Sequence, residues 1–340
     1  MWEKVLQSTE RNWITRNRGE NVRKRKILSV LLAALLLTGC GSGEQDTTSP
    51  FVDEKVLGAV VSEQDIIAEE PALPDILQPE ASGVAVEEND KAIVDYSNIA
   101  DGYVMVKYKA ATEKRLKVQI KGPTTTYKYD ITVDSWETFP LSDGNGDYQI
   151  GVYENVEGSK YASVISTSIK IELKDEFAPF LRPNQYVDYG EATETIKLAA
   201  KLTQGKETEL EKVQAVYEYV VQNITYDTEL AATVKSGYLP VLDKVLESKK
   251  GICFDYAALM TGMLRSQSVP CKLVVGYAGE VYHAWISVYT EKDGWIDSAI
   301  YFDGTTWKRM DPTFAASSNR SEAIMKYIGD GSNYTVNKIY

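Results

Sequence analysis

The spacing of apolar residues changes along the chain, and that change limits the folds it can adopt. Between residues 91 and about 173 apolar residues alternate with polar ones, as at Leu116, Val118 and Ile120. This period of two is typical of strands with one buried face. After Pro183 the period becomes helical, and later it returns to alternation. The pattern predicts an all-β domain followed by a domain of α+β class.

Residues 91–180 are predicted to form the β domain. Its alternating runs are separated by Lys-Gly-Pro at 121–123 and Asp-Gly-Asn-Gly-Asp at 143–147, and such sequences are turn signals. Several short strands in about 85 residues are typical of an immunoglobulin- or fibronectin-type β-sandwich. The acidic segment at 143–147 lacks the glutamate that closes an EF-hand, so we expect a hairpin turn there. The domain is expected to be a spacer, or a surface that binds substrate or cell wall.

Residues 1–39 have the form of an export signal. A basic cluster at 23–26 precedes an apolar run that is too short to span a bilayer. The run ends Leu-Thr-Gly-Cys40, which resembles the lipobox of bacterial lipoproteins. The resemblance implies diacylation of Cys40, cleavage before it, and anchoring to the outer face of the cell membrane. An ordinary signal peptide or a short membrane anchor is the alternative, and translation from near Val22 would give the same mature protein.

Residues 40–90 are predicted to be a lipidated cysteine followed by an acidic, disordered tether. The segment 41–90 contains thirteen acidic residues and one basic residue, Lys55. Such a composition buries too little apolar surface to fold. A pro-segment or partner-binding strip at 56–61 is the alternative. The segment accounts for the formal net charge of −12, and the chain lacks the clustered cations that nucleic-acid binding requires.

The chain has three cysteines and one histidine, which excludes a disulfide scaffold and a His-rich metal centre. We expect no cofactor. Cys253 lies two residues after Gly251 and begins a strongly apolar segment that continues to Gln267. It is therefore predicted to lie in the first turn of a buried helix. The positive end of a helix and a neighbouring imidazolium both favour a thiolate nucleophile. A cysteine that only fills the core is the alternative.

Two further motifs follow that helix in a specific order. His283 lies in Tyr-His-Ala-Trp within an alternating run, and Asp311 lies in Asp-Pro-Thr after a short strand at Trp307. Together with the glycine and cysteine before the helix, they resemble the transglutaminase-like superfamily over residues 185–315. The resemblance implies a papain-like α+β core with helices and an antiparallel sheet, which we place at 181–340.

The same resemblance implies a Cys-His-Asp triad. Cys253 would attack an amide carbonyl, His283 would transfer the proton, and Asp311 would orient the imidazole. The backbone N–H of Cys253 is one expected oxyanion donor, and Tyr226 is a candidate for additional support. Asp297 and Asp303 are alternatives to Asp311, but neither precedes Pro-Thr.

The resemblance leaves the reaction open. If water attacks the acyl-enzyme, a peptide or protein amide is hydrolysed; if an amine attacks it, a cross-link forms. Cell-wall peptides are among the expected substrates. A non-catalytic surface module that retains the triad residues is the second hypothesis. Cys271 is predicted to pack in the core, and a zinc site of Cys253, Cys271 and His283 is the alternative.

The lipobox yields a first testable prediction. Replacement Cys40→Ser removes the thiol that is acylated, so the protein should leave the membrane fraction or persist as the unprocessed precursor. Membrane fractionation and gel mobility measure both outcomes, with Cys271→Ser as the control. A Cys40→Ser protein that fractionates and migrates like the parent would show that no lipid is attached at this position.

Overall fold

The computed structural model describes residues 71–190, 193–297, 301–302, 307–308 and 334–340. Within these residues an all-β region is followed by a region of helices and an antiparallel sheet, which confirms the predicted fold class. Cys40 and the segment 1–39 lie outside the described residues. No helix in the described part of the chain is long and apolar enough to cross a membrane.

The β domain consists of two four-stranded antiparallel sheets. Its strands are β1 (Val86–Glu88), β2 (Ala92–Asp95), β3 (Tyr103–Tyr108), β4 (Leu116–Lys121), β5 (Thr126–Ile131), β6 (Trp136–Pro140), β7 (Gly146–Glu157) and β8 (Lys160–Ile171).

The first sheet has the order β1-β2-β3-β6, and the second has the order β5-β4-β7-β8. Buried residues of both sheets belong to one apolar core. Across it, the rings of Tyr129 and Phe139 lie 4.6 Å apart. Two antiparallel sheets therefore share one core, and the immunoglobulin- or fibronectin-type assignment stays a prediction.

Strand β1 lies before residue 91, the predicted start of this domain. β1 pairs with β2, and the preceding backbone is also bound to the domain. The Gly83 amide donates to the Asp95 carboxylate at 2.7 Å, and the Val84 amide donates to the Ser97 hydroxyl at 3.0 Å. Acidic composition alone predicts disorder here, but these side chains satisfy the backbone of the segment at the sheet edge.

The predicted hairpin turn at 143–147 is wrong. The segment joins β6 of the first sheet to β7 of the second sheet, and these two strands do not pair. The Asp143 carboxylate accepts hydrogen bonds from the amides of Thr124 and Thr125 at 2.6 and 2.8 Å. Asp143 therefore stabilises the β4–β5 turn beside it.

The C-terminal region contains five helices and eight strands among the described residues. They are α1 (Thr193–Thr203), α2 (Glu209–Asn223), β9 (Thr225–Tyr226), α3 (Thr228–Thr233), α4 (Leu242–Ser248), β10 (Lys250–Gly251), α5 (Cys253–Ser266), β11 (Cys271–Ala278), β12 (Val281–Thr290), β13 (Gly294–Ile296), β14 (Tyr301–Phe302), β15 (Trp307–Lys308) and β16 (Tyr334–Ile339).

Helix α5 is the centre of this region. Every one of its residues is buried, as expected for a helix that is apolar on all sides. It packs against β11 and β12 on one side and against α1, α2 and α4 on the other. The sheet has the order β13-β12-β11-β16 with antiparallel neighbours. The helix predicted to begin at Cys253 is α5, and the alternating run that contains His283 is β12.

One buried guanidinium connects three segments of the chain. Arg265, near the end of α5, donates to the backbone oxygens of Cys271, Arg182 and Tyr340 at 2.8–2.9 Å. These partners lie at the start of β11, in the segment between the two domains, and just after β16. The hydrogen bonds therefore fix α5 to its sheet and to the segment between the two domains.

An aromatic cluster fills the contact between the two domains. The ring of Tyr186 lies 5.4 Å from that of Tyr129 in β5, 4.5 Å from Tyr340 and 5.4 Å from Phe254. Phe254 directly follows Cys253 in α5. A continuous set of ring contacts therefore joins the core of the β domain to the beginning of that helix.

The β domain also contains a buried carboxylate with three donors. Glu154 in β7 pairs with Lys114 and Lys91, and it accepts a hydrogen bond from the Tyr108 hydroxyl at 3.0 Å. The hydrogen bonds from Lys114, then from Lys91 and Tyr108, lower the pKa of Glu154 to about 2. This pKa lies below that of a glutamate in an unfolded chain, about 4.3.

Glu154 should therefore stabilise the fold above about pH 4.3, and this stabilisation should be lost as the pH falls toward 2. Replacement Glu154→Gln should lower the melting temperature at pH 7 and lower it clearly less near pH 2.5, where part of the stabilisation is already lost. Glu172→Gln is the control, because Glu172 is exposed and its ion pair with Lys170 is long, at 3.6 Å. If Glu154→Gln lowers the melting temperature by the same amount at both pH values, Glu154 does not have this role.

Candidate active site

Cys253 is the first residue of α5, and the backbone that leads to it is fixed by a short parallel strand pair. β10 pairs with β9, so that Gly251 lies opposite Tyr226. The Asp227 amide donates to the Gly251 carbonyl at 2.9 Å. These bonds hold the start of the helix against the segment that follows α2. The first N–H groups of a helix have no partner within it, and here they lie beside the thiol.

Asp255 caps this helix from its first turn. Its carboxylate accepts a hydrogen bond from the Ile252 amide at 2.8 Å and one from the Tyr238 hydroxyl at 2.7 Å. The side chain is buried, and burial raises the pKa of Asp255. A Cβ at Gly251 would lie 2.6 Å from the Cβ of Asp255, so only glycine fits before this capped turn.

His283 lies on β12, opposite Gly276 of β11. A Cβ at Gly276 would lie 2.7 Å from the ring of Trp285 and would overlap the Thr335 carbonyl of β16. Glycine therefore allows β16 to approach closely at this level of the sheet. His283 and Trp285 share one face of β12, because side chains two residues apart in a strand point to the same side.

Helix α5, which begins with Cys253, packs against β12, the strand that carries His283. Burial, then Tyr277, then the Cys253 thiol raise the pKa of the Tyr282 hydroxyl to about 12. Tyr282 immediately precedes His283, and α5 packs on the strand that contains both. The cysteine and the histidine are each largely buried, with 7% and 5% of their surface exposed.

A cleft of about 240 Å³ opens between the two domains, and sequence neighbours of both residues line it. Its lining includes Ile252 and Phe254, which flank Cys253, and Tyr282 and Ala284, which flank His283. Strands β4 and β5 supply the opposite wall, and the loop 235–239 closes one side. The neighbours of both candidate catalytic residues therefore face one interdomain cleft.

The structure places the other predicted residues as follows. Tyr226 is partly buried and lies opposite Gly251, two residues before Cys253. Asp297 is exposed after β13, and its charge acts on Lys272. Asp311 and Asp303 lie outside the described residues.

Cys271 packs in the core as predicted. It is fully buried, its sulfur lies 3.6 Å from the Thr261 hydroxyl, and burial raises its pKa to about 11. Among the residues that the structure describes, no group of three or more His, Cys, Asp or Glu side chains could hold a metal ion.

Sequence reasoning missed Asp255 and Tyr238. An acid in the first turn of a helix is a recognisable capping signal, so Asp255 could have been found from Gly-Ile-Cys-Phe-Asp. Its partner Tyr238 lies 17 residues away in a loop, and no local pattern indicates that contact.

Comparisons with known proteins agree with this architecture. Residues 196–312 match the family model described as the transglutaminase-like superfamily. The uncharacterized protein YebA of Bacillus subtilis (strain 168) is 32% identical over 118 residues, which are 29% of this chain and 16% of that protein. The kyphoscoliosis peptidase of Mus musculus is 32% identical over 107 residues, which are 28% of this chain and 16% of that protein. The chain thus spans about a sixth of the length of these curated relatives.

Two solved structures are similar at lower sequence identity. The periplasmic domain of TgpA from Pseudomonas aeruginosa is 14% identical, with a TM-score of 0.34 over 72% of this chain and 100% of that chain. Red sea bream transglutaminase is 12% identical, with a TM-score of 0.27 over 67% of this chain and 53% of that chain. The segment that matches the family model contains Cys253, His283 and Asp311.

Proposed function

We propose that the protein is a cysteine acyl-transfer enzyme that acts on peptide or protein amides at the outer face of a cell membrane. The observation that supports it best is the position of Cys253, at the first turn of a buried helix, with its sequence neighbours facing an interdomain cleft. His283 lies on a strand packed against that helix. The match of residues 196–312 to the transglutaminase-like superfamily is independent support.

The proposed reaction uses these residues in two steps. His283 accepts the proton of the Cys253 thiol, and the sulfur attacks the amide carbonyl carbon to form a tetrahedral oxyanion. The C–N bond then breaks, the leaving nitrogen takes the proton from His283, and a thioester remains on Cys253. Water or a primary amine attacks the thioester, which gives a carboxylic acid or a new amide and restores the thiol.

The surroundings of Cys253 suit this chemistry. The free N–H groups at the start of α5 can donate to the oxyanion, and Tyr226 lies close enough to the helix start to support them. In the proposed triad Asp311 orients the imidazole of His283.

Membrane anchoring through Cys40 is part of the same proposal. The β domain begins no later than β1, so the segment 41–85 would connect the lipid to the folded chain. A lipid on Cys40 would place the cleft outside the cell, where peptides of the cell wall and secreted proteins are available as substrates.

A non-catalytic binding module is the second candidate. The low exposure of Cys253 and His283, 7% and 5%, favours it, because an enzyme must expose its nucleophile to substrate. The reactivity of the thiol distinguishes the two candidates.

We expect iodoacetamide to label Cys253 rapidly near pH 7, because in the proposed triad His283 accepts the proton of the thiol. His283→Gln should slow this labelling by at least tenfold. Peptide mass mapping identifies the labelled cysteine, and Cys271 is the internal control because burial raises its pKa to about 11. Cys253 labelling that is as slow as that of Cys271, or unchanged in His283→Gln, would favour the binding module.

A further inference from the structure

The β-domain side of the cleft carries positive charge. Lys117 in β4 and Lys128 in β5 line it, and Lys235 lies in the loop that forms the opposite edge. Asp130 is the one carboxylate among the lining residues, and it pairs with Lys117 at 2.7 Å. The lining therefore has a surplus of cations.

Two of these cations have no ion-pair partner among the described residues. Lys128 and Lys235 are exposed, and neither forms an ion pair in the described part of the chain. Lys338 of β16 lies nearby: burial lowers its pKa, the charge of Asp143 raises it, and the charge of Lys128 lowers it. The lysines of this edge repel one another, and an anionic ligand would relieve that repulsion.

The remainder of the lining suits an extended peptide. Tyr186, Tyr238, Tyr282 and Tyr340 contribute rings and hydroxyl groups, and such side chains bind a backbone and apolar groups together. The cleft begins at Ile252 and Phe254, on either side of Cys253. A peptide bound there would place its flanking side chains near the lysines while an amide lies near the thiol.

We propose that this cleft selects acyl donors whose reactive amide is flanked by carboxylate side chains, with Lys128 and Lys235 as specificity-determining residues. This inference rests on the proposed acyl-transfer function. It assigns the β domain a direct part in substrate choice, because Lys128 comes from that domain.

The two walls of the cleft are held in fixed positions relative to each other. Selection between substrates requires such a fixed geometry. Gln185, in the segment between the domains, donates to the Asp130 backbone carbonyl at 2.6 Å. On the opposite side, Tyr238 is bound to Asp255, and a Cβ at Gly237 would lie 3.6 Å from the Asp130 carboxylate. The loop with Lys235 and the strand with Lys128 therefore face each other across the cleft.

The test uses two capped fluorescent peptides with one central glutamine amide, flanked by glutamates in one and by methionines in the other. We expect kcat/KM to be about five- to tenfold higher for the glutamate peptide at low salt, with the preference reduced by salt screening. In Lys128→Met/Lys235→Met the ratio should fall to near one. Lys160→Met/Lys170→Met, on β8 of the same sheet and outside the cleft lining, should keep the parental ratio.

Equal kcat/KM for the two peptides, or a preference unchanged in Lys128→Met/Lys235→Met, would overturn the inference while leaving the acyl-transfer proposal intact. If neither peptide is turned over, the acyl-transfer proposal fails for these amides. Fluorescence anisotropy with Cys253→Ala then decides the inference alone. Tighter binding of the glutamate peptide that is lost in the lysine variant supports it, and equal binding of both peptides overturns it.

Discussion

The arrangement of the cleft depends on one buried cation, the guanidinium of Arg265. It is fully buried, burial lowers its pKa, and its hydrogen bonds go to three backbone oxygens from separate parts of the chain. A buried charge is tolerated only when its donors are satisfied, so α5, β11, β16 and the interdomain segment must all be in place together. Tyr340, one of the three acceptors, also contacts Tyr186 and Tyr129 of the interdomain aromatic cluster. The position of the β domain relative to Cys253 thus follows from the same contacts.

Periodicity predicted the secondary structure around the candidate site because the relevant segments are long and strongly apolar. Helix α5 and the strands β11 and β12 satisfy that condition, and Gly251 indicated where the helix begins. The first strand, β1, was missed because an acidic composition predicts disorder, whereas Asp95 and Ser97 bind the backbone of that region. The short elements β9, β10 and α3 have too few residues to show a period.

Long-range contacts could not be predicted from the sequence. Asp255 is recognisable as a capping acid, but its bond to Tyr238 depends on how the loop 235–239 folds back onto α5. Likewise, Lys128 and Lys235 lie more than a hundred residues apart and belong to different domains. They line one cleft only because the domains pack through their aromatic residues. The β domain, expected from the sequence to be a spacer or a binding surface, supplies one wall of that cleft.

Intact-mass spectrometry after acid quenching shows whether Cys253 forms a covalent bond with an acyl donor. With the glutamate-flanked peptide, we expect the protein to gain the mass of the peptide minus the ammonia released from its glutamine amide. Fragmentation should place this adduct on Cys253, and it should persist in Cys271→Ser and disappear in Cys253→Ala. An adduct on another residue, or no adduct under conditions in which the peptide demonstrably binds, would show that Cys253 is not the acylated nucleophile.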